Sequence, residues 1–400
     1  MNNVFKKSYS GIANYLDYLI YIFLCCYLII DSITGFLLLS GGASISTAYK
    51  VFLLILMILS VSLKKMDIIC YIIFIFLLML ICLFNHLDNI TGKLIDSFSS
   101  ILRLITNQVF FIYFYYILKS NDKLEKYSSN KFFKINLFIF LCNIIIGILG
   151  FGFYTYPSLN VGIKGFFYAG NQVSVLFYCL YYIILVKLKT QSNKILFLYI
   201  IALIISILIA TKVSVFSCIV ISGIDYYFRS TQKRKFYIKL FFPILIGILI
   251  GLGAFLLPKT EFYQRVEFVV TRSLGQGYNF LEAILSGRLT FLRNNYKTWM
   301  NYLSPIVFLF GFGTMPRIVE IDFFDTLFHV GIFFTVSMLA FYFFLICLSI
   351  KSKNYRLFFF NLIYLSISFI AGHVLENVMV GLFYAYINAY ELLYYKNHLI

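Results

Sequence analysis

The chain has 400 residues, 62% of them hydrophobic, 20% aromatic and 12% charged, with a mean hydropathy of +0.90. An average globular domain is about 45–50% apolar and about 25% charged, so no water-facing surface could cover this much apolar mass. Composition excludes cytosolic enzymes, secreted disulfide scaffolds and nucleic-acid-binding modules, and points to a polytopic membrane protein whose net charge of +17 is a topology signal carried on its loops.

Met1–Ser10 carries Lys6 and Lys7. The apolar run behind it, Tyr15 to Leu39, is too long for a signal-peptide core and has no small-x-small cleavage site after it, so it is expected to be a first span. A helix needs about 20 apolar residues to cross about 30 Å of hydrocarbon. On that measure about twelve spans are predicted, near 15–39, 44–63, 67–85, 99–118, 132–153, 171–187, 195–211, 213–228, 237–257, 323–350, 355–371 and 377–395. Only Thr211-Lys212 separates the seventh from the eighth, which predicts a tight hairpin or one long broken element. The fold class is therefore all-α, one membrane domain over 1–400, with a single long non-membrane loop at 258–322 between spans 9 and 10. No repeat between the two halves is visible. The eight cysteines lie within apolar runs without a CxxC, and the four histidines form no HxxxH or HExxH pair. Neither disulfides nor a metal cage is expected.

With the N-terminus inside, 21 of the 33 basic residues fall on cytoplasmic turns, and the short outer turns hold only Lys50, Lys93, Arg103, Lys164 and Lys212. An even span count returns the C-terminus to the cytoplasm. The other seven (Lys259, Arg265, Arg272, Arg288, Arg293, Lys297 and Arg317) all lie in the long outer loop, five of them arginine where the inner turns are mostly lysine. Topology needs only charge. A preference for arginine points to planar, bidentate binding of phosphate or carboxylate.

Four outer clusters can carry chemistry. Lys164-Gly165-Phe166-Phe167-Tyr168 sets a lysine among aromatics, suited to phosphate and to stacking on sugar rings, and equally to snorkelling; Lys212 has the same two readings. In the long loop, Arg265 and Arg272 share a face if Tyr263–Ser273 is helical. Behind Ser286-Gly287-Arg288, the residues Leu289, Leu292, Tyr296, Trp299 and Leu303 form an apolar stripe, with Arg293, Asn294 and Lys297 away from its centre, which predicts an amphipathic surface helix. A Gly-x-Gly turn at Gly311 and Gly313 then leads to Glu320, Asp322 and Asp325, with His329 four residues after Asp325. One helical face can carry Asp322, Asp325 and His329. Acids at a helix N-terminus are also ordinary dipole complements, but Glu320 precedes the helix. Last, Gly372-His373-Val374-Leu375-Glu376-Asn377 forms a short outer turn in which His373 and Glu376 are i,i+3 if helical. On the outer side there is no nucleotide, so a substrate must arrive already activated in the membrane.

This order of motifs, Lys164-Gly165-Phe166-Phe167 with Gly170-Asn171, Thr211-Lys212, Ser286-Gly287-Arg288, the Gly-x-Gly turn with Glu320, Asp322, Asp325 and Gly331, and Gly372-His373 with Asn377, resembles the Wzy-type oligosaccharide repeat-unit polymerases. These are the O-antigen and capsular polysaccharide polymerases of the O-antigen-ligase-like superfamily. The resemblance runs from about Asn160 to Asn377. It implies a GT-C-like fold in a bacterial cell membrane and transfer of a growing glycan from undecaprenyl pyrophosphate onto a new lipid-linked repeat unit. It also implies no metal or other cofactor, and chain-length regulator and flippase proteins as partners. It would place the pyrophosphate on Arg288 with Arg265 or Arg272. Ligases carry a histidine eleven residues before the glycine matched here by Gly331; this chain has Glu320 there, which disfavours a ligase and makes Glu320 the expected base. Lys164, Lys212, Asp322, Asp325 and His373 are expected to contact glycan or pyrophosphate. The alternatives are a flippase for the same lipid-linked oligosaccharide and an O-antigen ligase.

Overall fold

The computed structural model describes residues 2–64, 92–120, 122–157, 160–168, 170–188, 193–229, 288–301, 303–311 and 319–398. The expected spans at 67–85 and 237–257, together with Arg265 and Arg272, lie outside the described residues. The first helices are α1 (Asn2–Cys25), α2 (Tyr27–Leu39), α3 (Ser46–Lys64), α4 (Gly92–Ser120) and α5 (Asp122–Ile148). A hairpin of β1 (Tyr154–Tyr156) and β2 (Val161–Ile163) follows, antiparallel, with Tyr154 opposite Ile163 and Tyr156 opposite Val161. This small sheet is an addition to the all-helical expectation. Then come α6 (Gly170–Lys187), α7 (Asn193–Ile209) and α8 (Lys212–Arg229). After the long undescribed stretch stand α9 (Arg288–Asn301), α10 (Pro305–Phe310), α11 (Asp322–Lys351), α12 (Tyr355–Ala371) and α13 (Val378–His398).

Ten of the twelve expected spans fall on described helices. Five of these are long and apolar enough to cross a membrane, and the pair α1–α2, bent by 46°, makes a sixth if it is one broken span. The other four fall short for visible reasons. The apolar parts of α7 and α12 are short, α8 carries Lys212, Asp225 and Arg229, and α13 carries Glu391 amid many tyrosines.

The α1–α2 bend has a local cause. At such a break the helical bond between Leu28 N–H and the Leu24 carbonyl is replaced by the Asn136 amide of α5, which accepts from Leu28 N–H at 3.1 Å and donates to Leu24 at 2.9 Å. A polar side chain inserted into the hydrogen-bond ladder is an established source of kinks. Asp17 and Asp31, both in the first span, are tied to α3: Asp17 to Ser60 and Lys64, and Asp31 to Ser46 and Lys50. Neutralised in this way, each carboxylate can enter the bundle, and the two pairs fix α3 antiparallel to the bent span.

Thr211 resolves the seventh and eighth spans into a hairpin. Its hydroxyl accepts the Ser214 N–H at 3.0 Å, capping α8, while Ala210 turns the chain with a φ of 59°. One large buried core joins most of the helices, and a small satellite of Trp299, Val319, Ile321 and Phe328 sits beneath α9.

Candidate functional site

The site starts from how α9 is docked. Leu292, Asn295 and Trp299 face inward, and Trp299 packs on Phe328 at 5.6 Å and Phe308 at 6.1 Å between ring centroids. Position 288 continues that i, i+4, i+7, i+11 row, so the docked face carries Arg288 inward with it. The expected stripe is corrected by a small rotation: Tyr296 and Leu303 are exposed and Asn295 is buried. Arg293, Asn294 and Lys297 are exposed, as expected.

Arg288 Nη2 donates to Glu320 Oε2 at 2.9 Å, with Arg288 12% and Glu320 48% exposed. Two candidates 32 residues apart thus meet in one ion pair. The Arg288 guanidinium also acts on Tyr156 at the tip of β1: burial pushes the Tyr156 phenol up, and Arg288 pulls it back.

Below this pair the acids take a different part from the expected one. Asp322 and Asp325 are 1% and 6% exposed, so neither lines an open mouth. Asp322 Oδ2 accepts the N–H groups of Val374 at 2.8 Å and Leu375 at 2.6 Å. Asp325 Oδ1 accepts the Val319 N–H at 2.7 Å. Glu376 Oε1 lies 2.8 Å from the Thr326 hydroxyl, which is also 2.7 Å from the Asp322 carbonyl. The 372–377 segment is a turn rather than helix, and it lies directly on Glu320: a Cβ built on Gly372 would stand 2.3 Å from the Glu320 carbonyl oxygen. His373 is half-buried in this turn.

The turn holding Lys164 is wedged between α2 and α5. Asn143 accepts the Phe166 N–H at 3.1 Å and donates to Ser32 at 2.7 Å, and Phe166 and Phe167 pack on Phe36 and Phe140. Lys164 is buried, donates to the Tyr168 carbonyl and lies 5.6 Å from the Phe153 ring centroid. Burial lowers its ammonium to about 8. Lys212 is exposed at the start of α8. Its turn is held by Ser174 to Thr211 at 2.6 Å and by Thr155 to the Ile209 carbonyl at 2.9 Å.

The β-hairpin therefore links the Lys164 turn, the Thr211-Lys212 turn and Arg288, while Gly372 joins the last turn to Glu320. The described members of all four sequence clusters gather at one end of the bundle. Tyr156 and Thr326 were not legible as members, because both are ordinary residues that only the folded contacts single out. Compared with protein-family models, curated proteins and solved structures, the chain matches none.

Proposed function

We propose that the protein is a polysaccharide polymerase of the Wzy type, which moves the growing glycan from undecaprenyl pyrophosphate onto a new lipid-linked repeat unit at the outer face of the membrane. The observation that carries the reading is the Arg288–Glu320 pair at the end of the bundle where the other candidate clusters meet. In the reaction, an acceptor hydroxyl attacks the anomeric carbon of the donor sugar, Glu320 takes the hydroxyl proton, and the carbon–oxygen bond to the diphosphate breaks. Arg288 receives the departing diphosphate, with Arg265 or Arg272 as its second cation. Charge-assisted hydrogen bonds of this kind are worth about 1.5–3 kcal/mol and act most where charge develops. A positioned base typically adds about 10²–10⁴-fold.

Base and leaving group stand apart in a displacement, with attacking oxygen and anomeric carbon between them. The 2.9 Å pair is thus the resting arrangement, and donor and acceptor part it on entry. Exposed Lys212 and the aromatic Lys164 turn flank the approach. The same reading carries the finer architecture: about twelve spans in a GT-C-like arrangement, both termini cytoplasmic, and Arg288 outside. It is supported by the lysine-rich turns, which the positive-inside rule puts in the cytoplasm. Two carriers anchored in one bilayer also meet with much of their translational entropy already removed.

The test is purified protein reconstituted with undecaprenyl-pyrophosphate-linked repeat units in the presence of a chelator. A ladder of elongated products is expected, and Arg288→Ala and Glu320→Ala should stay in the membrane yet leave single repeat units, a loss of at least about 10²-fold. A flippase would give no ladder from any of these proteins.

A further inference from the structure

Glu320 and His373 share an uncommon backbone. Both have left-handed φ values, 62° and 57°, among only five non-glycine residues that do so in the described chain. Such conformations persist where the surroundings over-determine them, and they concentrate at functional sites. Here the surroundings can be named. Asp325 Oδ1 accepts the Val319 N–H at 2.7 Å, one residue before Glu320, and its other oxygen is buried without a hydrogen-bond partner among the described residues. From the other side, Asp322 holds Val374 and Leu375, which presses Gly372 onto the Glu320 carbonyl. Buried as it is, Asp325 lies beneath the pair and acts on it through the backbone.

We infer that Asp325 is a positioning residue, which fixes the left-handed backbone of Glu320 so that its carboxylate stands at Arg288. The inference rests on the reading of Glu320 as the base. A side-chain acceptor is suited to the task because the Val319 N–H immediately precedes Glu320 and, buried, needs a partner. Asparagine keeps one carbonyl acceptor for Val319, and alanine keeps none.

The test uses the full chain in lipid nanodiscs with lipid-linked repeat units, comparing wild type, Asp325→Asn and Asp325→Ala. In Asp325→Ala, kcat should fall about tenfold to a hundredfold with the donor KM within about twofold, the mark of a misplaced group rather than a lost substrate contact. Asp325→Asn should recover most of the loss. Amide hydrogen exchange at 319–321 should quicken in the alanine variant and stay near wild type in the asparagine variant. Asp322→Ala serves as the control that loosens 374–375 instead. A raised KM with unchanged kcat, or exchange at 319–321 that does not respond, overturns the inference. If wild type itself fails to elongate while exchange responds as expected, the polymerase reading falls and the backbone role of Asp325 stands.

Discussion

Arg288 is only 12% exposed, and a guanidinium placed so far from water is costly unless an anion answers it. The position is therefore shaped for an anion: Glu320 in the resting state and, on the proposed reading, a diphosphate. Lys164 shows a second tension between stability and charge. Because burial lowers its ammonium to about 8, the folded chain releases this proton more readily than the unfolded chain does. Stability therefore rises with pH between about 8 and the ordinary lysine range, and Lys164 adds no slope below 8. On the proposed reading, binding runs the other way, since only the ammonium would hold phosphate. Elongation kcat/KM should fall as pH climbs through about 8, and Lys164→Arg, charged throughout, should hold it level to pH 9. A wild-type profile that matches the arginine variant would remove Lys164 from substrate binding. At this scale the sequence made the residue types legible, but whether a lysine is buried or exposed depends on neighbours far along the chain.

At the scale of elements, the junction of α10 and α11 sets where α9 sits. Gly331 interrupts α11 with a φ of 79°, and a Cβ there would lie 2.3 Å from the Leu309 carbonyl oxygen. Reciprocally, a Cβ on Gly311 would lie 2.3 Å from the carbonyl of His329. Two chain segments thus cross at backbone distance, which only glycine permits. The crossing places Phe308 and Phe328 together as the seat for Trp299. Replacing Trp299 by alanine should cost about 3–5 kcal/mol of local stability, as large aromatic truncations do. It should also release α9 and bring elongation down with the Arg288→Ala variant, while a thermal melt still shows a folded bundle. Full activity in Trp299→Ala would show that α9 is positioned some other way. Periodicity found this helix and two of its inward residues, Leu292 and Trp299, but set Tyr296 inward in place of Asn295, because the seat offered by Phe308 and Phe328 selects the face.

Across the whole molecule, charge is sorted by end. Opposite the candidate site, Asp225 is buried between Arg229 and Arg356, with the Tyr199 hydroxyl at 2.8 Å. Arg229 also donates to the carbonyls of Leu185 and Leu188, and Asn354 donates to Glu391 at 2.8 Å. Lys187 lies over the rings of Phe133, Tyr386 and Tyr390. These contacts fix helix ends on the lysine-rich side, as paired and hydrogen-bonded charges within a bundle must. The sidedness is open to direct measurement. A cysteine at Tyr168, 67% exposed, should react with a membrane-impermeant maleimide in intact cells, and one at Lys353 should react only after lysis. The reverse pattern would put Arg288 in the cytosol, away from any substrate carried outward.

Taken by itself, the sequence determined that the chain is rich in helices apolar enough for a membrane and where most of the described ones run, and it supplied the proposal that the candidate residues share the outer side. Each of these follows from local hydropathy and from charge summed over loops. Only the tertiary structure decided that Arg288 pairs with Glu320, that Asp322 and Asp325 hold backbone rather than line an opening, and that Asp17 and Asp31 are answered by lysines of α3. Those outcomes depend on which helix faces meet, and a partner tens or hundreds of residues away leaves no trace in the local pattern of the residue it binds.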